Sequence, residues 1–344
     1  MLTTDFDYPL PPELIAQAPA EPRDSCRLLV LRRTDGSLQH CTFKQVIDFL
    51  DPGDLLVANE TKVFPARLRG HKVSGGEAEI FLLEPKGQDT WQALVKPGRR
   101  LKPGAVVMIG DSLKVSIIDW EDAKGERLVA LESLDGRPLD SLLHEQGNLP
   151  LPPYIKDYHG PDTMYQTVYA KQETSAAAPT AGLHFTPELI ERIKAKGVNW
   201  ATLELQVGLD TFRSVDEVNI EDHQMHTETY TVPPALVEAI AQTKAAGHRV
   251  IAVGTTCVRS LESAWDKEQG KLVARDHERT SLYITPGYPY HVVDALITNF
   301  HVPKSTLMML VSAFASREQI LAAYAEAVAL KYRFLSFGDA MLIL

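Results

Sequence analysis

The stretch VIAVGTTCVRSLESAW, residues 250–265, sets an apolar run, a single glycine, two threonines and a helix-forming segment in unbroken succession. Arg249–Val253 reads as a buried strand, Gly254 as a tight turn and Val258–Trp265 as a helix. A strand that turns on glycine directly into a helix is the unit of an α/β sheet, and such turns lie on the ligand-facing edge of those sheets. Thr255 and Thr256 stand on this turn. Arg259 follows within the first helical turn, where the helix dipole repels a guanidinium unless something anionic compensates, either a ligand or a protein carboxylate. With only one glycine the turn is no dinucleotide fingerprint.

The same alternation extends outward. Beyond residue 160, helices are expected at Asp162–Ala170, from Pro187 up to Gly197, at Pro234–Ala246 and at Arg317–Leu330. Strands are expected at Asn199–Val207, Ser281–Thr285, Val292–Thr298 and Met341–Leu344. The first sixty residues add strands at Arg27–Leu31 and Leu55–Ala58, with short helical stretches near Pro12–Gln17 and Phe43–Leu50. Between Ala66 and about Leu134 the texture changes. Glu79–Leu83, Trp91–Val95, Val106–Ile109, Lys114–Ile118 and Arg127–Leu131 alternate apolar and polar residues, and turn pairs such as Gly75-Gly76, Pro103-Gly104 and Lys124-Gly125 separate them. The expectation is a mixed-sheet α/β main domain, residues 1–62 and 152–344, with an inserted small antiparallel β-barrel domain at 63–151.

The 344 residues are 44% hydrophobic and 23% charged, the composition of a globular protein with a substantial core. The longest apolar stretch, around Leu307–Ala315, is far short of a membrane span, and MLTTDFDYPL is unlike a secretory signal. Cys26, Cys41 and Cys257 fit neither a disulfide framework nor a zinc spacing, so reduced thiols in a cytoplasmic protein are expected. The net charge of −10 argues against holding nucleic acid by overall charge. Lys62 to Lys102 nevertheless carries nine basic residues against four acidic ones, either a local polyanion-binding patch or a solvated β-surface.

Three loops concentrate polar chemistry. In APTAGLHFTPELIERI, 178–193, Thr180 and Gly182 lead to His184 and Phe185 just before a helix start marked by Thr186-Pro187. A helix N-terminus favours an anionic or polar ligand, a glycine allows close approach, and a histidine exchanges protons near neutral pH. His184 is equally compatible with a hydrogen-bonded core or capping position. The Gly254 turn is the second loop. In DALITNFHVPKSTLMMLVSAF, 294–314, a strand delivers Asn299 and His301 at its end, followed by Lys304 and Ser305, a collection that packing alone does not justify. His223 and His226 stand three residues apart, but nothing beside them completes a metal site, so surface or hydrogen-bonded histidines are expected there.

Taken together, RDSCRLLVL (23–31), GDLLVANETKVFPARL (53–68), AAPTAGLHFT (177–186), IAVGTTCVRSLE (251–262), VVDALITNFHVPKSTLMMLVSAF (292–314) and YRFLSFGDAMLI (332–343) resemble the S-adenosylmethionine:tRNA ribosyltransferase-isomerases of queuosine biosynthesis. The resemblance runs nearly end to end. It implies an α/β enzyme with an inserted barrel. Such an enzyme moves the ribosyl part of S-adenosylmethionine onto 7-aminomethyl-7-deazaguanine at the tRNA wobble position, giving epoxyqueuosine with release of adenine and methionine. It further implies a cytoplasmic monomer that needs no metal or resident cofactor, S-adenosylmethionine being consumed. The chain departs from the family at QVGLDTF, 206–212, where Gln206 replaces a usual histidine and Asp210 a usual glycine, and at Cys257 in place of serine. Gln206 cannot carry a proton.

On that resemblance, His184 and His301 are the candidate proton carriers, with His184 as the base that removes a C5′ proton beside the sulfonium. Arg259 and Lys304 are candidates for the methionine carboxylate, Asn299 for a base edge, and Asp339 for an ammonium. Thr180, Gly182, Phe185, Thr255, Thr256 and Ser305 complete the expected substrate site. Arg67, Arg69, Lys96, Arg99, Arg100 and Lys102 form the expected tRNA clamp. A methyltransferase would instead need a glycine-rich cofactor loop that is missing, and a plain RNA-binding module would leave the Asn299–Ser305 cluster without purpose.

Overall fold

The computed structural model describes residues 1–120, 125–156, 158–208 and 214–344. They form two compact units, Met1–Lys62 with Pro152–Gln172 and Ala178–Leu344, and Val63–Leu151 with Glu173–Ala177. The segment Glu173–Ala177 thus falls outside the stretch that the sequence texture marks as the insertion.

A nine-stranded mixed sheet forms the first unit. In spatial order its strands are Arg275–Thr280, Glu228–Val232, Asn199–Leu205, Leu55–Asn59, Val250–Val253, Ala295–Asn299, Ala340–Ile343, Arg27–Leu31 and Leu38–Thr42. The four strands from Asn199–Leu205 to Ala295–Asn299 run parallel, and antiparallel pairs flank them on both sides. Buried on both faces, the central strands read as continuous apolar runs. Leu56, Ala58, Ile251, Val253, Ala295 and Ile297 share one face, on which Phe185, Leu189 and Ile193 pack from the helix Pro187–Ala195 and the turn before it. Thr186 caps that helix by accepting from Leu189 N–H at 3.2 Å.

The second unit contains six antiparallel strands, Arg67–Lys72, Glu77–Gly87, Thr90–Lys96, Arg127–Ser133, Leu113–Trp120 and Val106–Ile109, closed by pairing of the last with the first through His71–Met108 and Lys72–Val107. Inward-facing Leu68, Ile80, Leu82, Val107, Val115, Ile117 and Val129 fill it. The α/β class and the barrel therefore both match the expectation.

Two elements differ. Asp162–Ala170 is no helix beyond the short 3₁₀ turn Asp162–Tyr165. The Arg23 guanidinium donates to the Thr163 and Gln166 carbonyls, and Thr163 O also accepts from Gln166 N–H in that turn. Ser281–Thr285 is not a strand. The edge strand is Arg275–Thr280, an exposed charged run (RDHERT) that hides its period while guarding the sheet edge. The helix after Gly254 also begins earlier than expected, at Thr255, and ends at Ser263.

Candidate active site

At the carboxyl ends of the parallel strands the three polar loops meet around one pocket. Pro179, Thr180 and Ala181 line it from the first, Gly254, Thr255 and Thr256 from the second, and Thr298 to Val302 with Ser305 from the third. This is where open α/β sheets bind ligands. Gly254 makes the arrangement possible: its φ of +94° turns the chain from strand to helix without a residue between them. Ser305 spends its hydroxyl on capping Thr306–Phe314, accepting from Met308 N–H at 3.2 Å. No Asp, Glu, Lys or Arg is among the described lining residues.

His301 is buried on this wall. Its Nε2 lies 2.9 Å from Thr298 Oγ1, and Nδ1 makes no hydrogen bond among the described residues. Tyr324 and Tyr8 fix its backbone, the first accepting from His301 N–H at 3.0 Å and the second donating to its carbonyl at 2.5 Å. Burial pushes the imidazole pKa down to about 3, so the ring is neutral at physiological pH.

Behind the wall stands a chain of three side chains. Asn299 Nδ2 donates to Leu335 O at 3.0 Å and to His184 Nε2 at 3.1 Å. A carbonyl can only accept, so Leu335 O fixes which end of the amide is the NH₂. His184 Nε2 is then the acceptor, and its Nδ1–H donates to Cys26 Sγ at 3.2 Å. Phe43 packs on the imidazole at 5.0 Å between ring centroids. Burial above all, with Arg333 and Arg23 adding smaller repulsions, lowers the His184 pKa to about 4, and burial raises that of the Cys26 thiol.

The chain matches the family model described as queuosine biosynthesis protein over residues 3–343. It is 50% identical to the S-adenosylmethionine:tRNA ribosyltransferase-isomerase of Thermotoga maritima and 51% to that of Heliobacterium modesticaldum, over 100% and 98% of both chains respectively. The chain belongs to the queuosine biosynthesis protein family. A crystal structure described as S-adenosylmethionine tRNA ribosyltransferase from Thermotoga maritima aligns over 99% of this chain and 100% of its own, with a TM-score of 0.55 and 40% identity.

Several expected site residues of this queuosine biosynthesis protein lie off the pocket wall. His184 is one step behind it, with both ring nitrogens engaged. Phe185 is core, edge-on to Phe43 and Trp200. Gly182 has no left-handed backbone; it is small because a Cβ would fall 2.0 Å from Tyr169 Oη. Arg259 turns to the buried Glu228 and donates from Nε to Leu282 O, so the compensating anion is a protein carboxylate. Although burial alone would raise the Glu228 pKa, Arg259 and His226 pull it down to about 2. Asp339 accepts from Arg27 N–H and Nε and from Arg333 N–H, and so anchors the chain rather than an ammonium. Lys304 is half-exposed, 3.6 Å from Asp7.

Tyr154, Val207, Leu335 and Ser336 line the pocket without having been singled out as candidates. Tyr154 Oη and Ser336 Oγ are 2.7 Å apart. Leu335 and Ser336 lie within the YRFLSFGDAMLI motif and Val207 within QVGLDTF, which is the signal the sequence carries for them. Cys257 is inert, its thiol pushed by burial up to about 12, and Asp210 lies outside the described residues. His223 and His226 turn to Glu217 and Glu228, at 2.9 and 3.5 Å, and not to a common centre.

On the barrel, Lys96, Arg99, Arg100 and Lys102 are exposed along one strand end and turn. None of the four has an ion-pair partner among the described residues. Arg67 and Arg69 share the single carboxylate of Glu79, at 3.8 and 3.3 Å, which offsets part of their charge.

Proposed function

We propose that this chain transfers and isomerises the ribosyl moiety of S-adenosylmethionine onto 7-aminomethyl-7-deazaguanine at the wobble position of tRNA. The product is epoxyqueuosine, with adenine and methionine released. Full-length membership of the family, with relatives bearing the ribosyltransferase-isomerase name, supports the reaction. The single structural observation that carries it is the convergence of the three polar loops on one pocket at the sheet's carboxyl edge. S-adenosylmethionine is a consumed co-substrate, and among the described residues no group of three or more His, Cys, Asp or Glu could hold a metal. The enzyme acts as a cytoplasmic monomer in this reading; no described helix is long and apolar enough to cross a membrane.

The chemistry asks for a base at the acidic carbon beside the sulfonium, a way for adenine to leave, and a free amine that attacks. His301 replaces His184 as the proposed base: it is neutral, lines the pocket and has no hydrogen bond at Nδ1 among the described residues. In this role Nε2–H donates to Thr298 Oγ1, which leaves Nδ1 as the acceptor, and Tyr8 and Tyr324 hold the residue's backbone. Thr180, Thr255 and Thr256 offer hydroxyls to the ribosyl part. Lys96, Arg99, Arg100 and Lys102 would meet tRNA phosphates.

The test is direct. The purified protein is incubated with S-adenosylmethionine and tRNA carrying the aminomethyl deazaguanine, and the small products are read by mass spectrometry. Free adenine and methionine in equal amounts are expected. S-adenosylhomocysteine, or no release of adenine, overturns the reading.

A further inference from the structure

Asn299 poses a problem that the fold does not solve by itself. Its Oδ1 is buried and has no hydrogen-bond partner, while its Nδ2 has two. A buried acceptor left unmatched is costly, and a native protein keeps one where something else completes it. Asn299 lies on the pocket wall, so a ligand can supply that donor. The amide cannot turn round to escape the problem. Leu335 O holds the NH₂ in place from a residue at φ +69°, a conformation that a leucine adopts only where its surroundings impose it. His184 Nε2 accepts from the NH₂ on the other side, and Cys26 lies beside the opposite ring nitrogen.

Among the described lining residues no side chain is charged, and the histidine is neutral. These residues offer nothing to match the carboxylate and ammonium of the methionine end. They suit a neutral heteroaromatic ring, with Val207, Phe300, Val302, Leu307 and Leu335 supplying apolar contact. The part of S-adenosylmethionine that is flat, neutral and carries a hydrogen-bond donor is adenine.

We infer that Asn299 Oδ1 accepts a hydrogen bond from the 6-amino group of adenine, and that His184 and Cys26 are positioning residues that aim the Asn299 amide. The inference rests on S-adenosylmethionine being the substrate of this pocket. His184 then moves no proton: its two nitrogens are committed to holding the tautomer that makes Nε2 an acceptor for Asn299.

The test compares S-adenosylmethionine with the analogue carrying hydrogen in place of the 6-amino group, reading base release in the presence of precursor tRNA. Taking the ratio of wild type to variant for each substrate removes the difference in leaving group. Asn299→Ala should lower kcat/KM for S-adenosylmethionine about 10–100-fold and for the analogue less than about threefold, because only the first loses a hydrogen bond. Equal losses on both substrates overturn the inference. His184→Ala should raise KM for S-adenosylmethionine with kcat held within about threefold, and His184→Gln, which can still accept from Asn299, should restore it. A kcat loss of about 10²-fold in His184→Gln at unchanged KM would make His184 a proton carrier and overturn the positioning role. This pair keeps the question answerable if Asn299→Ala does not fold. Failure of the wild-type protein to release adenine would sink the functional reading itself, whereas equal losses in variants of an active enzyme sink only this inference.

Discussion

His301 and His184 stand within one small region, yet their surroundings give them different work. His301 lines the pocket and has no hydrogen bond at Nδ1 among the described residues, whereas His184 has both nitrogens committed behind Asn299. As proton acceptor in the proposed reaction, His301 should be worth about 10²–10⁴-fold, so His301→Gln is expected to lower kcat by that factor and leave folding intact. The pH dependence has a definite sign. A histidine at its ordinary pKa would lose its basic form below about pH 6.5, but burial lowers that of His301 to about 3. The acid limb of kcat/KM should therefore lie below pH 5, and rates of adenine release between pH 5 and 8 will show it. A limb centred near 6.5 would exclude His301 as the base of the free enzyme.

At the scale of elements, the Gly254 turn sets the site, because Thr255 and Thr256 reach the pocket only if the strand enters the helix without a spacer. A Cβ at Gly254 would meet Thr256 Oγ1 at 3.4 Å and Ala181 Cβ at 3.5 Å, so crowding is modest and backbone strain at φ +94° dominates. Gly254→Ala is expected to destabilise by about 1–3 kcal/mol, read from urea unfolding, and to raise KM for S-adenosylmethionine as the turn relaxes. This element was legible because strand, glycine and helix follow one another in sequence, and so was Asn299 with His301 at a strand end. Arg275–Thr280 was not legible, since an edge strand made of charge loses its alternation. Nor was the fate of Asp339 or Arg259. Sequence identifies a charged side chain, but only the folded chain brings Arg27 to Asp339 across 312 positions and Glu228 to Arg259 across 31.

For the molecule as a whole, burial of neutral histidines ties stability to pH. The unfolded chain takes up protons at His184 and His301 below about pH 6.5, while the folded chain resists until about 4 and 3. Stability present above pH 6.5 is therefore lost as the pH falls towards 4, by about 2 kcal/mol per histidine at pH 5. Urea midpoints at pH 7.5, 6 and 5 should fall in that order, and His301→Gln should flatten the slope. Charge on the barrel gives the last expectation. The net charge of −10 repels tRNA at a distance, so binding depends on local cations that no carboxylate has already answered. Lys96, Arg99, Arg100 and Lys102 meet that condition, whereas Arg67 and Arg69 share Glu79. Reversing Arg99 and Arg100 together should weaken tRNA binding about 10–100-fold at moderate salt. It should also reduce the slope of log affinity against log salt by about 1.5–2, as two phosphate contacts are lost. KM for S-adenosylmethionine at saturating tRNA should not move. Arg69→Glu should change both quantities less, because Glu79 already offsets part of its charge. Filter binding across a salt series measures affinity and slope, adenine release measures the KM, and an Arg69 effect equal to that of the Arg99–Arg100 pair would mean that ion pairing on the barrel does not decide which cations hold the tRNA.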